Sequence, residues 1–374
     1  MWTQTQWYEA ARQMAAAKPD YYRKWGEFYL LSYQRWMPEV PRPEIVRRLA
    51  AWNRERLDAV PDSIRYPELR GVKELIEAEW RGIRDGAGLS PDQWTAQCCG
   101  NSYYFRRMNL GAAPVGCSYA YFPTSDHGPI LANNLDSTPE EPFGPPDWPL
   151  VNEFLILGGV SSGIFNDETS PEIFPAPVFK LVGRYCRTTA EAVELLTRYN
   201  HFWGPGNLMV IDHLNHTAMV EKSACRIGVR HSPDGFGIIT AMTAEEPAMH
   251  AYVADRRAFS LKARGLPVEC ADTAYWRCAD ERRQLMNELL DENRRNPTLD
   301  GLQRLIQFRD PKRGLVCYNG ETLIPGGPPC EITIRTIIWC LEEKRALWWA
   351  WENGKPSFEN RKPDVTYSNV WSWK

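Results

Sequence analysis

No stretch of this sequence approaches the roughly 20 consecutive apolar residues that a helix needs to cross a bilayer, so a helical membrane span is not expected. Charge of one sign is lacking too. Forty-four Lys and Arg stand against forty-seven Asp and Glu, a net charge of −3, which gives no reason to expect a nucleic-acid partner or attraction to an anionic membrane. There is no Gly-rich phosphate loop and no dinucleotide fingerprint. Ten cysteines in 374 residues show no framework of spacings, which suits a reduced compartment better than a disulfide scaffold. The first residues lack a basic start followed by an apolar run, and the last three are not Ser-Lys-Leu. The cytoplasm is therefore the expected location. Internal repeats and low-complexity runs are absent as well.

What is present is an ordinary globular composition, 43% apolar and 24% charged, with length for one or two domains. Aromatics stand out: sixteen Trp and sixteen Tyr, enough for packing and for lining an apolar pocket. Residues 1 to about 110 read as helical. Leu69, Val72, Ile76, Trp80 and Ile83 recur at spacings of 3, 4, 4 and 3, one face of a helix. Ser90-Pro91-Asp92-Gln93 combines an N-cap, a first-turn proline and a capping-box partner. Pro43 opens another helix, which Pro61 ends.

After Cys117 the pattern turns to strands. Glu153 to Val160 is an apolar run. Asn207 to Asp212 pairs naturally with Thr217 to Ser223, and Arg226 to His231 and Phe236 to Thr243 extend that antiparallel meander. Thr188 and Glu191 are spaced to cap a helix running to Tyr199. A second helical block covers 272 to 308, and a last hairpin joins Glu331–Leu341 to Arg345–Glu352. Residues 139 to 149 form a proline-rich loop, and an extended tail follows residue 356. Helices, sheet, helices and sheet in that order predict an α+β fold of antiparallel layers flanked by helices.

The chemistry centres on Gly116-Cys117-Ser118-Tyr119-Ala120-Tyr121-Phe122, the turn cluster 124–128, and Ile130-Leu131-Ala132-Asn133-Asn134-Leu135-Asp136. This reads as a β-hairpin. With 125–128 as the loop, Thr124 faces Pro129 and Cys117 faces Asp136, their Cβ atoms about 5 Å apart, with Asn134 on the same face. A thiol and a carboxylate would then share one end of one hairpin. Elsewhere, His213-x-x-His216 reads as a turn pair, not a metal site, and the adjacent Cys98 and Cys99 read as interior packing.

The segment resembles the acyl-coenzyme A:6-aminopenicillanic acid acyltransferase family of N-terminal-nucleophile cysteine hydrolases (the isopenicillin-N acyltransferase type). Those proteins carry a Gly-Cys self-cleavage site and then a hairpin ending in a Gly-(Arg/Gln)-Asn-x-Asp motif. Glu68–Val72 and Gly82–Asp92 resemble the family's pre-cleavage segment. Asn207–Asp212, Met219–Ser223 and Trp349–Pro356 resemble its strand motifs, in the same order, over roughly residues 65 to 360. The resemblance implies a four-layer αββα sandwich. Residues 1–116 would be a helical pro-segment kept as a companion chain, and residues 117–374 the catalytic region, with a tail from about 357.

It also implies a mechanism. Cleavage between Gly116 and Cys117 would leave Cys117 with both a thiol and a free α-amine, whose reference pKa values are about 8.5 and about 7.7–8.0. The amine would serve as the base, Asp136 would hold the resulting ammonium, and Asn134 would hydrogen-bond nucleophile or substrate. The reaction would pass an acyl group from an amide or thioester through S-acyl-Cys117 to water or an amine. Substrates would be small-molecule or peptide amides or thioesters, coenzyme A thioesters among them, with no metal or organic cofactor required.

Two positions depart from the family. Asn133 stands where relatives carry Arg or Gln, and Ile239–Thr243 lacks the oxyanion asparagine of a Thr-Asn-His-like segment. Thr240, Thr243 or a backbone N–H would have to supply that donor. Arg256 or Arg257 aligns with an arginine following that segment, and Glu221 falls where a structural role is expected. An uncleaved enzyme, or a non-catalytic binding or assembly protein of the same fold, is the alternative reading.

Overall fold

The structure is a computed structural model that describes residues 3–58, 71–100, 116–142, 144, 146–161, 177–200, 206–223, 226–263, 277–321 and 332–368. Five helices lead: α1 (Gln4–Ala17), α2 (Pro19–Trp36), α3 (Arg42–Asp58), α4 (Val72–Ala87) and α5 (Pro91–Cys99). Their ends follow local chemistry. Thr3 with Gln6, and Ser90 with Gln93, form reciprocal capping boxes, while Gly88 ends α4 in the left-handed region at φ 62°, where a side chain is penalised. The predicted α4 stripe turns inward, with Ile76 and Trp80 buried. Pro61 and Leu69 lie outside the described residues.

Strands β1 (Ser118–Phe122), β2 (Ile130–Ser137) and β3 (Leu155–Ser161) follow, then α6 (Pro177–Tyr185) and α7 (Thr189–Arg198). Thr188 and Glu191 make the expected capping box for α7. The chain continues through β4 (Gly206–Asp212), β5 (Thr217–Lys222), β6 (Ile227–Ser232) and β7 (Gly237–Thr240). Next come α8 (Pro247–Ala263), α9 (Arg277–Asn293) and α10 (Leu299–Ile306), then the short pair β8 (Arg309–Asp310) and β9 (Gly314–Leu315). The end is β10 (Ile332–Cys340), β11 (Arg345–Ala350) and β12 (Val365–Thr366). Helices α6 and α8 were not anticipated from the sequence, although Pro247 after two glutamates is a first-turn signal for α8.

Two antiparallel sheets carry most of the described strands. One runs β12-β11-β10-β2-β1-β7, the other β3-β4-β5-β6. They meet through Tyr121, Leu131 and Ile337 from the first and Ile156, Met209 and Ile211 from the second. On its other face the larger sheet packs Ala120, Phe122 and Ile130 against Leu285 and Met286 of α9 and Leu305 of α10. The smaller sheet packs Leu157 and Val210 against Val182, Leu196, Ile76 and Trp80. The leading helices thus share a core with the smaller sheet.

Two sequence expectations are corrected. The meander does not continue past β6, because β7 leaves that sheet and pairs with β1, setting Thr240 opposite Ser118. The hairpin register is also one residue from the expected one: Phe122 faces Ile130 and Ser118 faces Asn134. Extending that pairing puts Cys117 beside Leu135, not Asp136. A one-residue slip exchanges the faces of every side chain, so Asn134 and Asp136 point to the α9 and α10 side while Cys117 follows Tyr119 toward the other sheet. Both faces of β1 and β2 are buried, so no polar face marked the register. The turn set it: Ser125 Oγ accepts from His127 N and donates to Gly128 O at 2.9 and 2.7 Å, stretching the loop to residues 123–129.

Helices α1 and α4 touch through small residues. A Cβ at Gly86 would lie 2.2 Å from the Arg12 carbonyl oxygen and one at Gly82 would lie 2.5 Å from that of Tyr8. In an open helix Gly→Ala gains about 1 kcal/mol. Here Gly86→Ala should instead destabilise by about 1–3 kcal/mol through overpacking, read as a lower urea midpoint by circular dichroism. A raised midpoint would mean that α1 does not pack on α4 this way.

Candidate active site

The residue before β1 is tied down on both sides. Cys117 is half-buried, and its carbonyl accepts from Ala241 N at 3.0 Å, joining it to the end of β7. Gly116 is buried, and a Cβ there would stand 2.8 Å from Ala241 Cβ. Its φ lies outside the left-handed region, so glycine is required at 116 by space, not by backbone conformation.

Beneath this junction lies a buried arginine that the sequence reading did not single out. Arg282 projects from α9, its side chain 2% exposed. Its Nη1 donates to Asp136 Oδ2 at 2.7 Å and also to the carbonyl oxygen of Gly116. Its Nη2 donates to Ser118 Oγ at 2.6 Å, and the guanidinium sits 5.0 Å from the centre of the Tyr318 ring. The other Asp136 oxygen accepts from Thr333 Oγ1 at 2.6 Å. A β-bulge in β10 between Thr333 and Arg335 keeps Thr333 opposite Asp136 and on its face.

The electrostatics follow from burial. Loss of water pushes the Asp136 carboxyl above its ordinary range, while the Arg282 charge and the Thr333 and Arg282 hydrogen bonds oppose that shift. Burial works against the Arg282 charge too, but Asp136 chiefly, with Tyr318 and Cys117 adding to it, holds the guanidinium's pKa up. The Cys117 sulfur therefore lies within the field of a buried, permanently charged cation. A signal for Arg282 was available in the sequence. It stands in register with Leu285, Met286 and Leu289, the buried stripe of α9, where an arginine has no solvent to reach.

The other predicted residues fall nearby in different ways. Asn134 is buried and turned from Cys117. Its Nδ2 donates to the Ile306 and Val316 carbonyls at 2.8 and 3.4 Å, and its Oδ1 accepts from Thr336 Oγ1 at 2.7 Å, so it ties β2 to the end of α10. Asn133 lies on the Cys117 face, its Nδ2 donating to Ser118 O and Asn134 O, both at 3.0 Å.

Thr240 stands at a braced turn, its Oγ1 2.8 Å from Thr243 Oγ1. Met242 there holds φ 63°, costly for a side chain of its kind. The brace comes from Asn207, whose Nδ2 donates to Thr240 O and Thr243 O at 2.8 and 2.7 Å. Arg257 adds a bond to Met242 O at 2.9 Å while pairing with Asp280 through two bonds of 2.6 and 2.9 Å. Of the two candidate arginines, then, it is Arg257, not Arg256, that donates to this turn.

His213 and His216 do flank a turn, which Asp212 caps by accepting from Leu214 N and His216 N. Cys98 and Cys99 are buried. Glu221 is structural: it accepts from Glu245 N and Glu246 N, each at 2.9 Å, ahead of α8.

No protein-family model matches the chain, and no curated protein matches it. A number of solved structures are remotely similar. A mutant of the conjugated bile acid hydrolase from Clostridium perfringens, with alanine in place of a cysteine, is 11% identical with a TM-score of 0.38, over 68% of this chain and 98% of that one. A second variant of that hydrolase, with leucine in place of an arginine, is 12% identical with a TM-score of 0.34, over 71% and 93%. A penicillin V acylase from Agrobacterium tumefaciens is also 12% identical with a TM-score of 0.34, over 64% and 77%. Likeness this remote assigns the chain neither a family nor an activity.

Removing Arg282 isolates the contribution of the pair. Arg282→Met leaves a buried carboxylate unpaired and should cost about 3–5 kcal/mol at neutral pH. With its folded-state pKa raised further, Asp136 favours folding only when protonated, and that contribution is lost as pH rises through the folded value. The penalty, measured by urea unfolding, should therefore shrink as pH falls. A penalty independent of pH would contradict an ionised pair.

Proposed function

We propose that the chain is an N-terminal-nucleophile cysteine amidohydrolase or acyltransferase of the four-layer αββα kind. In this reading residues 1–116 are a helical pro-segment, and Cys117 becomes the nucleophile after self-cleavage at Gly116–Cys117. One observation carries it: the buried Arg282 guanidinium donates to the carbonyl oxygen of Gly116, the carbonyl of the bond to be broken. Charge that develops there would meet a preorganised donor shielded from water, the arrangement worth most in catalysis.

Cleavage then runs in two steps. Cys117 Sγ attacks the Gly116 carbonyl carbon, the thiol proton passes to the departing Cys117 nitrogen, and the C–N bond breaks as the thioester forms. Water hydrolyses that thioester, leaving a Gly116 carboxylate and a free Cys117 amine. In turnover the amine takes the thiol proton and the sulfur attacks an acyl carbonyl. The amine or thiol of the substrate leaves with the proton, and water or an acceptor amine then takes the acyl group from Cys117. Asp136 and Arg282 set the field around the amine, and Ser118 fixes the guanidinium. Asn134 acts by placing β2. In this reading the braced turn at Thr240–Thr243 supplies the oxyanion donor. Small-molecule or peptide amides and thioesters, coenzyme A thioesters included, fit this chemistry.

The neighbouring thiols make the proposal testable without a substrate. Burial pushes Cys186 up to about 12 and Cys278, Cys317 and Cys340 up to about 11, leaving almost no thiolate at neutral pH. Iodoacetamide should label Cys117 at least about a hundredfold faster than these four, read by peptide mass mapping. Asp136→Asn should slow Cys117 labelling while the chain stays folded. Labelling of Cys117 no faster than that of the buried thiols would refute an activated nucleophile.

A further inference from the structure

Three potential metal ligands converge where the two hairpin turns of the larger sheet meet. His127 lies in the β1–β2 loop, Cys340 is the last residue of β10, and Glu343 lies in the turn to β11. One ligand atom from each falls within 4.8 Å of the others. The scaffold beneath them is fixed. Cys340 pairs with Ile130 across the sheet, and Leu341 N donates to Pro129 O at 3.1 Å. Ser125 holds the His127 backbone, and Gly128, at φ 70°, lets the loop lie against Glu342 where a Cβ would collide with its carboxylate at 2.6 Å.

From this geometry we infer that His127, Cys340 and Glu343 form a divalent transition-metal site, of the zinc type, clasping the β1–β2 turn to the β10–β11 turn. The donor set chooses the metal: thiolate and imidazole disfavour magnesium and calcium, and one sulfur, one nitrogen and one carboxylate oxygen with a fourth, outward position suit tetrahedral zinc. Charge also closes, since a thiolate and a carboxylate balance a divalent ion. The sulfur is the buried floor, while the His127 and Glu343 side chains are 31% and 38% exposed, so an ion can enter from solvent. Ligand atoms around tetrahedral zinc sit about 3.3–3.7 Å apart, so closing the site takes shifts on the order of 1 Å. The His127–Glu343 hydrogen bond gives way to the ion.

Arg345 pairs with Glu343 at 2.8 Å, and Asp364 lies 3.3 Å away as its alternative partner. Cys340 faces Ile130 at one end of the β10–β2 pairing, and Thr333 faces Asp136 near the other. Six residues at about 3.4 Å each put the clasp roughly 20 Å from Asp136. The ion would therefore brace the sheet, not take part in chemistry at Cys117.

Cobalt tests this directly, using the full reduced chain stripped of metal. One equivalent of Co2+ should bring up the thiolate-to-cobalt charge-transfer band and the visible bands of tetrahedral cobalt, and Zn2+ should quench both. Cys340→Ser should abolish the charge-transfer band. His127→Ala and Glu343→Gln, on half-exposed side chains that the fold does not need, should weaken Co2+ binding at least about tenfold. Cys117→Ala should leave the spectrum intact. The inference is overturned if no charge-transfer band appears, if it survives Cys340→Ser, if it is lost in Cys117→Ala, or if both half-exposed variants bind as the parent does.

Discussion

The ion pair between Arg282 and Asp136 is the constraint around which the larger sheet is arranged. Two charges without solvent are costly unless the remaining donors and acceptors are met, and here every nitrogen and oxygen of the two charged groups but the Arg282 Nε has a hydrogen-bond partner, drawn from far along the chain. Thr333 reaches Asp136 because β10 carries a bulge; Ser118 and Gly116 reach Arg282 because β1 starts where it does. Helix α9 is held at one rotation by the arginine in its buried stripe. The same hydrogen bonds that make the pair tolerable place a cation on the Gly116 carbonyl, so stability and the proposed chemistry draw on one set of atoms.

A second constraint acts from the neighbouring sheet. Asn207 uses its amide to hold two carbonyls of the Thr240–Thr243 turn, and Arg257 holds a third. That bracing keeps Met242 in a left-handed conformation beside Gly116 and Cys117. Residues held in such regions persist only where their surroundings over-determine them. An asparagine from the smaller sheet thus shapes the stretch in which the sequence itself supplies none.

Much of the architecture was legible in the residues. Capping boxes at Ser90 and Thr188, the spacing from Ile76 to Ile83 and the pairing of Asn207–Asp212 with Thr217–Ser223 all rest on local rules, and all appear in the structure. Long-range placement was harder. The hairpin register slipped by one because both faces of β1 are apolar, and β7 changed sheets because nothing local tells a strand which edge it will join. Arg282 was legible only as a charge out of place in an apolar stripe, and its hydrogen-bond partners lie 146 residues or more away in the chain. The His127–Cys340–Glu343 cluster had no legible spacing, since its members meet only when two distant turns do.

The central claim is that the Gly116–Cys117 bond is poised to break itself. An intact-mass time course on freshly purified chain tests it most directly. The account predicts that the single mass gives way to two, one a fragment whose first residue is Cys117, and that Cys117→Ala remains whole. A parent chain that stays intact through prolonged incubation at neutral pH, with its Gly116–Cys117 peptide recovered uncut, would contradict it.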